Sequence, residues 1–203
     1  TVNVVASTGP YNEQVKFNQI YGMSVANNII INGNDNYIQA NPDATNGYVL
    51  MLNGTDNMTI NNLNLRSINA TYGIGLLMSN HADSNIYQNS TIDLSLVGTS
   101  SVNAFIAFSA SSNSVTTSAT THNGIRNIIR NNILRGNGSG GPYYGITMMG
   151  GSSEYTTVIM YNQFINNDMR DPYVYAFYLT YGNRSLFSGN KISMPNRTTA
   201  TTF

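Results

Sequence analysis

The sequence predicts an all-β fold: a right-handed, single-stranded parallel β-helix (a solenoid) of about six coils, each of roughly 30 residues, in one domain over residues 1–203. Three observations predict it. Residues that favour turns dominate the composition, apolar residues alternate with a period of two in short segments, and two kinds of segment recur in step along the chain.

Asn, Ser and Thr number 32, 20 and 20, filling 72 of 203 positions. Their side chains compete with helical hydrogen bonding and favour turns, so helices are not expected. Yet 41% of the residues are hydrophobic and 14 are Tyr, enough apolar surface to pack a core. Charge is scarce at 9%, with nine Lys and Arg balancing nine Asp and Glu. A chain without a positive field does not hold phosphate backbones, so no nucleic-acid partner is expected. No run of 18 apolar residues exists, so no helical membrane span is expected either. With no Cys, disulfides, thiolate metal sites and Cys nucleophiles are excluded, and the cysteines give no clue to compartment.

The first segment type places Asn or Ser two residues before an apolar residue. It occurs as Asn27-Asn28-Ile29, Asn61-Asn62-Leu63, Ser90-Thr91-Ile92, Asn131-Asn132-Ile133, Asn162-Gln163-Phe164 and Asn190-Lys191-Ile192, at spacings of 34, 29, 41, 31 and 28. The second type is an apolar run. Counted from Val49, Ile74, Phe105, Ile146 and Phe177, its spacings are 25, 31, 41 and 31. Both registers stretch in the same place, as stacked coils with one insertion require. Each segment is four to six residues long and bounded by turn residues, which reads as a short strand. Ile74, Leu76, Ile146, Met148, Phe177 and Leu179 are expected to stack along the core. Asn27, Asn61, Asn131, Asn162 and Asn190 are expected at turns, where Asn tolerates left-handed backbone and ladders with the next coil. A β-sandwich would instead need hairpin turns every 8–12 residues. The Asn-Gly pairs at Asn32, Asn46, Asn53, Asn123 and Asn137 do not keep that beat.

The stretched interval holds a polar insertion over residues 109–124, almost pure Ser, Thr, Asn and Ala, expected as a long loop thrown out from one coil. Residues 136–142 read as a flexible connection, and the repeat resumes beyond both. The chain opens at Thr1 and stops after Asn196-Arg197-Thr198-Thr199, so it is expected to be a piece of a longer protein whose flanking coils or domains cover its open ends.

Several of these pieces, in order, carry a resemblance. Residues 4–14 followed by Ile20-Tyr21-Gly22-Met23-Ser24-Val25-Ala26-Asn27, then Leu52-Asn53-Gly54-Thr55-Asp56, residues 79–86, residues 127–136 and Tyr143-Tyr144-Gly145-Ile146 resemble segments of large secreted β-helix surface proteins of Bacteroidota. The resemblance implies the pectate-lyase-like fold. It also implies export by the type IX secretion system and a secreted, extracellular or cell-surface location as an adhesin-like module. The same fold houses pectate lyases, polygalacturonases and alginate epimerases, but their acidic signatures are absent; Asp171-Pro172-Tyr173 only half echoes the epimerase segment.

Asp56 and Asp83 follow equivalent strands 27 residues apart and are the first choice for a carboxylate pair of a glycoside hydrolase. Arg130 is the first choice for neutralising a uronate in a lyase. For both carboxylates a turn-capping role is expected instead, and no catalytic residue is assigned. His81 and His122, the only histidines, are expected as solvated loop residues; no metal ligand set and no cofactor are assigned, and nothing in the sequence supports calcium in a loop. Eight of the 14 Tyr lie between Tyr143 and Tyr181, with Tyr143 and Tyr144 expected beside Tyr173 and Tyr175 on the next coil. Stacked Tyr rings suit a sugar or a protein partner. The functional expectation is a non-catalytic surface module binding polysaccharide or cell-surface glycan at these four residues. The alternative is a polysaccharide lyase or hydrolase.

Overall fold

In the computed structural model, which describes residues 1–118, 120–138, 141–151 and 158–197, the chain winds as a parallel β-helix. Each coil contributes one short strand to each of three parallel sheets. In the third coil these strands are Met58–Asn61, Asn64–Ser67 and Ile74–Ser79. The first and second sheets have seven strands each and the third has six; a small pair, Ile159–Met160 with Gly182–Asn183, lies between the last coils. Six coils are complete, and Leu186–Ser188 and Lys191–Ser193 begin a seventh. No helix of the described residues is long and apolar enough to cross a membrane.

Parallel pairing in register puts the same strand position of every coil into one column. The core column of the first sheet runs Ile31, Ile60, Tyr87, Ile129, Phe164 and Phe187. That of the second sheet runs Ile38, Leu65, Ile92, Leu134, Met169 and Ile192. The third sheet supplies two: Val15, Leu50, Leu76, Ile106, Ile146 and Phe177, and Phe17, Leu52, Met78, Phe108, Met148 and Leu179. Burying each such side chain stabilises the coil by about 1.5–3 kcal/mol. The columns end without a covering coil among the described residues, so Leu179, Phe187 and Ile192 are exposed.

Two of the sequence-derived registers need correction. Ile74 faces away from the core, opposite Tyr48 and Ala104, while Leu76 takes the core position. The in-register core residues are Leu50 and Ile106, although Val49 and Phe105 also reach the core from the neighbouring position. The cause is a break in the period of two: the outward residues Tyr48 and Met51, Ile74 and Leu77, and Ala104 and Ala107 are three apart, so two successive positions between them face inward, as Val49 with Leu50 and Phe105 with Ile106 do. The outward residues form a second apolar cluster, so both faces of this part of the sheet are apolar and the sequence does not mark the break.

The polar insertion contributes to that second cluster. Rather than projecting from the coil, it folds back over the third sheet, with Val115 packed on the outward cluster. Its hydroxyls and amides close on themselves and on an earlier coil. The Ser109 hydroxyl donates to the Ser114 carbonyl at 2.6 Å and accepts from Thr116 N–H at 2.8 Å; Gly47 N–H donates to the Ser112 carbonyl at 2.8 Å. Ser, Thr and Asn can satisfy a tight non-repetitive backbone in this way without apolar residues of their own.

Asn residues build two corners of the coil, not one. Between the first and second sheets a two-residue turn pairs a left-handed residue with an inward one, buried in Asn89-Ser90, Asn131-Asn132 and Asn166-Asn167 and half-buried in Gly189-Asn190 at the open end. The second residues form a ladder, each backbone N–H donating to the next coil's side-chain oxygen: Ser90 to Asn132 at 3.0 Å, Asn132 to Asn167 at 3.1 Å, Asn167 to Asn190 at 3.0 Å. Before the first sheet a second ladder runs Met58 to Asn85, Asn85 to Asn127 and Asn127 to Asn162, at 2.8–3.0 Å. Corners in a stacked coil bury backbone groups that no strand neighbour pairs, and side-chain amides satisfy them.

Candidate functional site

Two places on the wall gather side chains with chemistry. The first is the outer face of the third sheet in the fifth and sixth coils. Strands Tyr144–Met149 and Tyr175–Thr180 pair with Tyr144 opposite Tyr175 and Thr147 opposite Tyr178. This continues the outward columns that hold Tyr48, Ile74 and Ala104 in earlier coils, where the apolar face is covered.

Register brings the rings together. Tyr144 and Tyr175 stack with centroids 5.7 Å apart and planes 14° apart. Tyr143 contacts Tyr144 edge-on at 4.8 Å and approaches Tyr173 and Tyr175 at 6.2 and 6.0 Å. All four sequence-derived binding residues therefore lie in one cluster. Tyr178 joins it, 5.2 Å from both Tyr144 and Tyr175. Outward positions in this sheet are three residues apart, as Tyr48 and Met51 or Ile74 and Leu77 are, so Tyr178 shares the face of Tyr175, where strict alternation would have hidden it. Tyr175 is 41% exposed, and the Arg197 guanidinium lies 5.1 Å over the Tyr173 ring. Burial, then the neighbouring Tyr143, Tyr178 and Tyr175, raise the Tyr144 phenol above its ordinary value, so all its ring edge does at neutral pH is offer a neutral hydroxyl. Of the other Tyr in the sequence cluster, Tyr161 lies apart, accepting from Arg184 Nη1 at 2.7 Å; Tyr155 lies outside the described residues.

The second place is the corner leading into the first sheet in the third to fifth coils. Asp56 and Asp83 stack one coil apart, as their spacing predicted. Each carboxylate accepts a backbone N–H from the next coil: Asp56 Oδ1 from Asp83 at 2.9 Å, Asp83 Oδ1 from Ile125 at 2.9 Å. They cap a neighbouring coil rather than their own turn. Arg130 does not join them. It ends the strand that this corner begins, and its Nε donates to Gln88 Oε1 at 2.7 Å in a ladder of half-buried polar residues. Glu154, another acid of the sequence, lies outside the described residues.

His81 is exposed, as expected, but His122 departs from expectation. His122 is buried, 8% exposed, because the end of the insertion returns to the coil wall against His81. The rings meet edge to face with centroids 4.1 Å apart, and His81 Nδ1 is 2.8 Å from His122 Nε2. His122 Nδ1 lies 3.5 Å from Asp83 Oδ1 and makes no hydrogen bond among the described residues. Burial first, then the neighbouring His81 and Arg126, push His122 down to about 4, so its imidazole is neutral at pH 7 and the contact with Asp83 is not an ion pair. Burial likewise pushes Asp83 up to about 6, against the Ile125 hydrogen bond that favours its charged form. The signal for this pair was in the sequence: His81 and His122 are separated by 41 residues, the stretched interval between these coils.

No protein-family model, curated protein or solved structure matches the chain.

Proposed function

We propose that the chain is a non-catalytic, adhesin-like module of an extracellular surface protein, and that it takes carbohydrate on the tyrosine face of its fifth and sixth coils. The observation that carries this reading is the cluster of Tyr143, Tyr144, Tyr173, Tyr175 and Tyr178, with Tyr175 open to solvent. Neutral rings with hydroxyl rims stack on the apolar face of a sugar and bond its hydroxyls without needing charge. The resemblance of the repeat segments to secreted Bacteroidota β-helix proteins supports a type IX exported, cell-surface setting, with polysaccharide or host glycan as the partner.

The alternative, a polysaccharide lyase or hydrolase, would have to work at Asp56 and Asp83. Both carboxylates are committed to backbone amides, and Arg130 is held at the far end of the strand by Gln88. An enzyme needs these groups converging on one bond.

The test is glycan binding by the native chain and by Tyr144→Ala and Tyr175→Ala, with circular dichroism to check the fold. Removing a central aromatic contact costs about 1–2 kcal/mol, so each variant should bind roughly 5- to 30-fold more weakly. Unchanged binding in both would overturn the assignment of the face.

A further inference from the structure

The corner at His81, Asp83 and His122 is not used by a carbohydrate-binding tyrosine face, and its donor set is specific. We propose that these three residues bind one late first-row divalent transition ion, zinc first among them. One donor atom from each residue lies within 4.8 Å of the other two. A tetrahedral ion with ligand bonds of about 2.0–2.1 Å holds its donors about 3.3 Å apart, so the widest donor pair needs to close by no more than about 1.5 Å.

Three further features fit an ion at this place. First, His122 Nδ1 is buried without a hydrogen-bond partner among the described residues, and it faces Asp83 Oδ1 at 3.5 Å. A stranded buried nitrogen costs stability unless something else uses its lone pair or its proton. Second, the ligands are oriented from outside the site. Asp83 is fixed by its bonds to Ile125 and Asp56, and the Thr121 hydroxyl bonds His81 Nε2. Partners behind the ligands set ring orientation and tautomer in metal sites. Third, Asn80 and His81 are both left-handed, with φ of 53° and 61°. That backbone is costly for His and aims its ring at His122 across the coil boundary.

The donors select the ion. Two imidazoles and one carboxylate suit zinc, copper, nickel or iron; calcium and magnesium want oxygen ligands, so this corner is not a calcium site. His122 is buried while His81 is exposed, so the ion would meet protein on one side and solvent on the other, with a position left for water. It would join the third coil to the end of the insertion, a connection otherwise made by hydrogen bonds.

Zinc titrated into the full chain by calorimetry tests this, with imidazole nitrogen resonances followed by NMR. The chain has two histidines, so two ring systems appear and no variant is needed to identify the ligands. The proposal expects one ion per chain, movement of both rings, and an affinity at least about 100-fold lower in His81→Asn, a larger loss than removing an outer partner brings. His81 is exposed and Asn accepts the left-handed backbone, so this variant keeps the fold. Asp83→Asn retains the oxygen that Ile125 bonds and should weaken zinc in the same way. Absence of a binding heat at zinc up to ten times the chain concentration, unmoved histidine resonances, or binding retained by both variants would each overturn it.

Discussion

Replacing Asn132 with Ala isolates the corner ladder. Asn132 is buried, its Oδ1 accepts from Ser90 N–H at 3.0 Å, and its Nδ2 donates to the Tyr87 carbonyl at 3.1 Å and to Asn167 Oδ1 at 3.1 Å. Truncation leaves the Ser90 donor stranded and takes a donor from Tyr87 in a wall that excludes water. Each stranded buried group costs about 1–3 kcal/mol, so the total is about 4 kcal/mol. For a chain of this length that lowers the midpoint of thermal unfolding by about 8–16 °C. The neighbouring Asn131 is the internal control. It is left-handed at φ 57° and its amide makes one exposed bond, to Asn89 at 3.2 Å. Asn131→Gly should therefore change stability by only a few tenths of a kcal/mol. Equal effects in the two variants, or a loss below about 1 kcal/mol in Asn132→Ala, would refute the claim that the buried ladder holds the corners.

Two other perturbations probe separate parts of the wall. A Cβ at Gly145 would lie 2.2 Å from the Ala176 carbonyl oxygen and 2.3 Å from Met169 Sδ, so Gly145→Ala should cost about 1–3 kcal/mol, read from the urea midpoint. The side-chain bond from Arg170 holds the Asp168 carboxyl below its ordinary value, so the pair's contribution is present above the unfolded carboxylate range and is lost as pH falls through the folded value. Arg170 is solvent-screened, so Arg170→Gln should lower stability only slightly at pH 7. The difference from the native chain should vanish in strong acid, as unfolding curves at the two pH values will show.

The architecture was legible because parallel stacking repeats one positional pattern in every coil; both recurring segment types stretched together at the insertion. The detail that was not legible has identifiable causes. Asn27 and Asn162 stand before the first sheet, whereas Asn131 and Asn190 stand at the corner between the first and second sheets; an Asn two residues before an apolar residue marks either corner equally. Asn131 and Asn132 are the same residue type with opposite roles, one solvated and left-handed, the other buried. The displacement of Ile74 from core to outer face follows from a break in the alternation between Ile74 and Leu77, which apolar residues on both faces conceal. The tyrosine column was legible because Tyr144 and Tyr175 precede aligned core residues by the same two positions, Ile146 and Phe177. His122 was hidden by its setting in Ser- and Thr-rich sequence that looks solvated, although hydroxyl and amide bonds fold that segment onto the wall.

The central claim is that the tyrosine face holds a glycan and leaves it intact. The most direct measurement incubates the chain with a panel of neutral and acidic polysaccharides, with and without divalent ions, and follows retention and released products together by affinity electrophoresis and mass spectrometry. The account predicts that at least one polysaccharide is retained, that Tyr175→Ala loses the retention, and that no oligosaccharide is released. Release of oligosaccharides from any of them, or retention of none, would contradict it.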